Sequence, residues 1–378
     1  AQMQLSVEKY LKGDKAIWSI IILLSIISAI MAYSASANMA YRLTDGDAIP
    51  FFFRHLVMLV LGIVTIIYLQ HFEFRYFSRL SQLGIWVAAA LLLVTLIFGR
   101  NINSAQRWIM GFQPSDFAKI ILVIYVARML AKNKGKIKNF KEGLVPILIP
   151  IGGICLLILP ADFSTAAMLM TVCFVLLFVG GVAIKHLLAV LGGAIGLLML
   201  LISLNHVAPG LLPRVNTWEQ RILGYSSGSA DENYQAQRAK IAVANGGIWG
   251  NGPGNGNIKN ELYSAQSDFV YASIIEDYGS LFGGLIMLLL YLMFLFRSIK
   301  IMTKTSSSFG GYLAFGLSFL LVFQALINMG VGVNLLPVTG QPLPLISMGG
   351  TSILFSCVAI GIILNISRTV YSGDETEV

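Results

Sequence analysis

Ten stretches of mostly apolar residues follow one another along the chain, centred on Ile26, Gly62, Leu91, Ile124, Ile151, Cys173, Gly193, Leu288, Leu320 and Val358. Each approaches the roughly 20 residues that a helix needs to cross a bilayer. The pattern therefore predicts ten spanning helices in an all-α polytopic membrane protein. The fifth run is the weakest, because Pro146, Pro150 and Gly152-Gly153 interrupt it. Neighbouring helices can satisfy the backbone groups that such breaks release. Glu8, Lys9, Lys12, Asp14 and Lys15 precede the first run and many runs follow it, which predicts a retained span and not a removable signal.

The polar segments between the runs carry the orientation. One side holds Lys9, Lys12 and Lys15, then Arg75 and Arg79, then Arg128, Lys132, Lys134, Lys136, Lys138 and Lys141, then Lys185, then Arg297, Lys300 and Lys304, and lastly Arg368. The other side has Arg42, Arg54, Arg100 and Arg107 in its short loops. That excess predicts that the first side, with both termini, is cytoplasmic. One polar segment is larger than the rest: residues 205–267, between spans seven and eight on the external side. Unstructured loops of this length are uncommon and tend to be functional. Ser229-Ala230-Asp231-Glu232 matches a capping box, and the alanine-rich stretch after it stops at Asn245-Gly246-Gly247. A glycine-rich turn, residues 250–257, comes next and leads to Lys259. Such a turn is either a tight re-entry into the membrane or a set of backbone N–H groups for a phosphate. It lacks the glycine spacing and the strand of nucleotide loops.

Composition agrees with a membrane protein: 56% of residues are hydrophobic, 12% are charged and the mean hydropathy is +0.77, whereas soluble domains carry about 25% charge. The net charge of +8 resides mostly in short loops between the runs, so it points to topology and not to nucleic acid. Cys155, Cys173 and Cys357 lie inside apolar runs without redox or metal spacing. His55, His71, His186 and His206 are too scattered for a zinc cluster.

Ionisable groups at the mouths of membrane helices are expensive to keep, and this chain gathers several toward the outer side. Asp268 stands where the long loop meets the eighth run. Glu276 and Asp277 follow it, and a continuous helix would offset Glu276 from Asp268 by roughly 80°. Asp116 and Lys119 are three apart, hence paired on one helix face, with Pro114 suited to the first turn. That pair either pins helices together or offers a held cation to an anionic substrate. Arg54, after three phenylalanines, either snorkels to the interface or meets substrate. Asp162, in a short turn, is equally a helix cap.

Several blocks, in one order, resemble the SEDS family (shape, elongation, division and sporulation), the peptidoglycan glycosyltransferases FtsW and RodA. They are Met31-Ala32-Tyr33-Ser34-Ala35-Ser36; Arg107-Trp108 with Phe112-Gln113-Pro114-Ser115-Asp116-Phe117-Ala118-Lys119; Asp162-Phe163-Ser164-Thr165-Ala166; Tyr234-Gln235; Asn245-Gly246-Gly247; Ser267-Asp268-Phe269-Val270-Tyr271-Ala272; and the stretch 336–352. The opening block and the Arg-Trp pair lean toward FtsW, the division member, while the stretch from Pro337 to Pro344 occurs in RodA-like sequences too. Asp116 where glutamate is usual, Ser164 for glycine and Met348 for tyrosine are departures, none of which removes a group the chemistry needs.

The resemblance implies a single transmembrane domain over residues 1–378 that polymerises lipid II at the external face of a bacterial cytoplasmic (inner) membrane. It implies Asp268 as catalytic base and, for the pyrophosphate, Lys119 first, with Arg54, Arg107 and Lys259 beside it. Asp116 would orient Lys119. Trp108, Gln113, Asp162, Gln235, Glu276 and Ser347 complete the expected substrate-binding set. A divalent cation, magnesium or manganese, is implied as a pyrophosphate partner, with Asp268 or Asp162 as its carboxylate. The implied partners are a class B penicillin-binding protein, other division or elongation membrane proteins and membrane lipids, but not nucleic acid. Two other classes of function compete: a lipid II flippase, and a non-enzymatic scaffold docking through the long loop.

Overall fold

The computed structural model describes residues 12–43, 49–102, 105–108, 111–207, 230–253, 255–256 and 267–372. The helices are α1 (Lys15–Leu43), α2 (Ile49–Leu69), α3 (Arg75–Phe98), α4 (Pro114–Lys132), α5 (Val145–Ile158), α6 (Phe163–Val179), α7 (Ile184–Val207), α8 (Ala230–Gly246), α9 (Val270–Gly279), α10 (Ile286–Lys304), α11 (Ser308–Gly332) and α12 (Gly350–Ser372). Wider, π-type turns at Phe140–Leu144 and Ser280–Leu285 lead into α5 and α10. Every one of the ten run centres falls in a helix. Among the described residues eight helical segments are long and apolar enough to cross a membrane, so the chain is an all-α polytopic membrane protein. The other two run centres lie in α6, which is apolar but short, and in α4, which carries Asp116, Lys119, Arg128 and Lys132. The helical pattern does not anticipate one element, a two-stranded antiparallel hairpin of β1 (Arg100–Ile102) and β2 (Ala105–Trp108).

The chain forms two compact units, residues 1–80 with 235–378 and residues 81–234. In the first, α12 packs along α2, α11 lies against α10 and α12, and α9 packs on α11. Small residues bring α2 and α12 together: a Cβ on Gly361 would lie 3.1 Å from Leu69 Cβ, and one on Gly62 would lie 2.5 Å from Cys357 Sγ. Polar side chains close one end of this unit. Asp14 caps α1, accepting from Ala16 N at 2.8 Å and Ile17 N at 3.2 Å. Its other oxygen pairs with Arg297 of α10 at 2.6 Å and accepts from Tyr371 of α12 at 3.3 Å. Asn365 donates to the Leu69 and Phe72 carbonyls and Arg368 to that of Gln70, satisfying the C-terminal carbonyls of α2.

In the second unit α4 is the central element, with Ala118, Leu122, Val123, Val126 and Ala127 fully buried. It packs on α5 and α6, and Gly84 of α3 faces its Ile121. Pro114 occupies the first turn of α4, as its missing N–H allows.

The apolar run after Asp268 is not one continuous helix. Gly279, at φ 79°, ends α9. In an unbroken helix the Glu276 and Asp277 carbonyls would accept from Ser280 N and Leu281 N. Here the glycine-rich loop takes both sides of that exchange. Asn251 N donates to Glu276 O at 3.0 Å and Gly252 N to Asp277 O at 2.9 Å, while Ser280 N and Leu281 N donate to the Gly247 and Ile248 carbonyls at 2.8 and 3.3 Å. Gly250 permits the close approach: a Cβ there would overlap the Asp277 carbonyl oxygen and lie 2.5 Å from Gly279 N. The loop thus repairs a broken span. The N–H groups of Asn251 and Gly252 are spent on helix carbonyls, which removes them from any phosphate cradle.

Gly250→Ala is expected to lower the stability of the purified protein by roughly 2–3 kcal/mol through this overlap, measured as a drop in melting temperature. Gly247→Ala, at φ 53° but with open space around its Cβ, is expected to cost only about 1 kcal/mol.

Candidate active site

Asp268 lies in a short turn, residues 267–269, immediately before α9, so its relation to Glu276 is not the helical offset that continuous spacing implies. The turn has no sheet or helix ladder, and side chains from elsewhere in the first unit bond its backbone. Asn328 of α11 donates from Nδ2 to the Ser267 and Asp268 carbonyls at 3.2 Å each and to the Gln341 carbonyl at 2.8 Å. Ser347 Oγ donates to the Ser267 carbonyl at 2.9 Å and accepts from Leu343 N at 2.7 Å. On the other flank Phe269 is buried with Ala239, Ala272 and Val331. Asp268 itself is half-buried between a fully buried ring and this group of donors.

The facing loop between α11 and α12 is irregular, with Leu345 at φ 66° and Gly340 at φ 71°. Irregular backbone among membrane helices persists only where its polar groups find partners. Gln324 donates to the Pro342 carbonyl at 2.8 Å, Tyr291 to that of Pro344, and Ser28, bonded to His55 at 2.8 Å, reaches toward Ile346 O at 3.5 Å. Gln324 and Asn328 are one turn apart on α11, hence on one face. The sequence reading missed both; two amides four residues apart inside an apolar run are the signal that marks them.

Glu276 and Asp277 are fully buried on α9. Glu276 accepts from Asn245 at 3.2 Å and Asp277 from Ser34 at 3.3 Å. Gly256 packs directly against both carboxylates. Gln235, on α8, is half-buried, and Arg54 is exposed on α2.

In the second unit Lys119 Nζ lies 2.8 Å from Asp116 Oδ1, both side chains buried. The spacing of three on α4 creates the pair, and the low dielectric around it strengthens the attraction. Asp116 Oδ2 has no hydrogen-bond partner among the described residues. Gln113 precedes α4 in extended backbone and donates to Ser115 Oγ at 3.0 Å. Asp162 is the N-cap of α6, accepting from Thr165 N at 3.1 Å, so its cap role is realised. Ser115, Asp162 and Thr95 share a small cavity of about 20 Å³, room for roughly one water. Arg107 and Trp108 lie on β2, while Lys259 lies outside the described residues.

Comparison with known proteins extends over the whole chain. The family model of FtsW, RodA and SpoVE, described as "Cell cycle protein", matches residues 14–372. "Stage V sporulation protein E" of Bacillus subtilis (strain 168) is 31% identical over 361 residues, covering 92% of this chain and 95% of its own. "Probable peptidoglycan glycosyltransferase FtsW" of Hahella chejuensis is 32% identical over 370 residues, covering 94% and 90%. Among solved structures, a chain from "Structural coordination of polymerization and crosslinking by a peptidoglycan synthase complex" aligns with a TM-score of 0.73 at 24% identity, covering 96% of this chain and 99% of that one. The rod shape determining protein RodA of Thermus thermophilus aligns with a TM-score of 0.67 at 22% identity over the same shares. With a family match across nearly its full length and relatives above 30% identity, the chain belongs to the SEDS family of FtsW, RodA and SpoVE membrane proteins.

Proposed function

We propose that this protein is an FtsW-like peptidoglycan glycosyltransferase that polymerises lipid II into glycan strands, with Asp268 as general base. One observation carries the assignment: Asp268 is a half-buried carboxylate in a turn pinned by buried donors. General-base catalysis needs a carboxylate that can reach substrate yet is held in place. The C4 hydroxyl of the acceptor sugar would give its proton to Asp268 as its oxygen bonds to the anomeric carbon of the donor. The bond from that carbon to the carrier pyrophosphate breaks, its electron pair leaves with the pyrophosphate, and the configuration inverts. The FtsW relatives, named as probable peptidoglycan glycosyltransferases, support the reaction class.

Positive charge must meet the departing pyrophosphate, and Lys119, Arg54, Arg107 and Lys259 are the cations assigned to it. Arg54 is exposed and meets a phosphate without breaking an ion pair, whereas Lys119 is held by Asp116. Among the described residues no three Asp, Glu, His or Cys side chains gather as a metal cage. A magnesium or manganese ion bound mainly by phosphates and water needs only one or two carboxylates; Asp268 or Asp162 would hold it, and the ion would neutralise charge on the leaving group.

The same reading includes ten spans in a single functional domain over residues 1–378, both termini in the cytoplasm, and the 205–267 segment with the site on the external face of the inner membrane. Lysine and arginine alternation supports it. It includes a class B penicillin-binding protein as partner, in keeping with the solved peptidoglycan synthase complex that coordinates polymerization and crosslinking, and septal synthesis in division as the setting.

Asp268→Asn is expected to lower glycan synthesis from lipid II by at least about 100-fold, with the melting temperature of the purified complex preserved. Near-normal glycan on a gel would remove Asp268 as base; translocation of lipid II in vesicles without any polymer would favour the flippase. For the buried pair, Asp116→Ala alone is expected to destabilise by about 3–5 kcal/mol because it strands Lys119. The double variant Asp116→Leu/Lys119→Met is expected to recover most of that stability yet lose at least about tenfold in kcat/KM. Full activity in the stable double variant would make the pair a helix clamp only.

A further inference from the structure

We propose that Asn328 is a positioning residue whose amide sets the place of Asp268, an inference that rests on the reading of Asp268 as base. Asn328 is buried in the last turns of α11. Three carbonyl oxygens, those of Ser267, Asp268 and Gln341, surround its one amide nitrogen at 3.2, 3.2 and 2.8 Å. An amide oxygen in that place would face three acceptors, so the orientation is determined: the nitrogen points to the turn. Asn328 Oδ1 is buried without a hydrogen-bond partner among the described residues, a cost that the three-acceptor nest on the nitrogen side outweighs.

Two features make this a constraint on catalysis and not on packing alone. First, one of the three carbonyls belongs to Asp268 itself, so a shift of the amide moves the peptide that carries the carboxylate. Second, the Phe269 ring anchors the opposite flank and Ser347 holds the Ser267 carbonyl, so the turn is fixed on both sides of Asp268. A displacement of about 1 Å at a reacting group can cost about 100-fold in rate. Gln324, one turn earlier on the same face, provides the contrast. It donates to the Pro342 carbonyl at 2.8 Å and so holds the facing loop.

The test measures kcat and KM for lipid II, together with melting temperature, on the full-length protein with its transpeptidase partner. Asn328→Asp turns the donor into an acceptor at nearly constant volume, and Asn328→Leu removes it. Both are expected to lower the melting temperature, because buried carbonyls lose their donor, and, at a temperature where each variant is still fully folded, to lower kcat by about 30- to 100-fold with KM within about threefold. Gln324→Leu is expected to keep kcat within about threefold. The inference is overturned if the Asn328 variants keep the parental kcat, if their kcat loss matches the fraction unfolded at the assay temperature, or if Gln324→Leu falls equally far. Asp268→Asn, run in parallel, separates the two readings. If it stays active, the base assignment fails and takes this inference with it; if it is inactive while the Asn328 variants work normally, this inference alone fails.

Discussion

A backbone carbonyl or N–H that leaves a helix inside hydrocarbon must find another partner, at a cost of several kcal/mol if it does not. Three of the places where the first unit departs from helix are the turn at 267–269, the break at Gly279, and the loop between α11 and α12. Each is satisfied differently. The break at Gly279 is repaired by backbone from the glycine-rich loop. The turn is held by Asn328 and Ser347, and the loop by Asn328, Gln324 and Tyr291. In all three the irregular backbone meets partners from elsewhere in the unit.

The proposed chemistry depends on the same arrangement. A general base has to be ordered without being locked away. Asn328 and Ser347 bond the backbone of its turn, at the Ser267 and Asp268 carbonyls, and Asp268 is half-buried. Glu276 and Asp277 have the opposite environment: fully buried on α9, with Asn245 and Ser34 donating to them and Gly256 against them. Three acidic residues within ten positions thus differ in exposure because one precedes the helix and two lie inside it.

Some of the site was legible in the residue order. Asp268 stood out because a carboxylate at the edge of an apolar run is costly. Asp116 and Lys119 stood out because spacing of three pairs side chains on a helix, and α4 places them 2.8 Å apart. Pro114 at the first turn and Asp162 as a cap followed from local chemistry that needs no distant partner. For Asn328 and Gln324 the paired amides were visible but their partners were not, since these lie 13 to 61 residues away along the chain. Nor was the break at Gly279: hydropathy averages over a window, and a single glycine does not change an apolar average.

What the sequence by itself determined is the set of apolar helices and the residues at their ends, because transfer from water to hydrocarbon is decided residue by residue and summed along about 20 positions. Tertiary structure alone decided that Asn251 and Gly252 of the glycine-rich segment bond the carbonyls of a broken helix, and that the turn bearing Asp268 hangs from α11 and the loop after it. Those outcomes depend on which backbone groups meet across space, and hydrogen bonds of about 3 Å between residues far apart in the chain leave no periodic trace in its order.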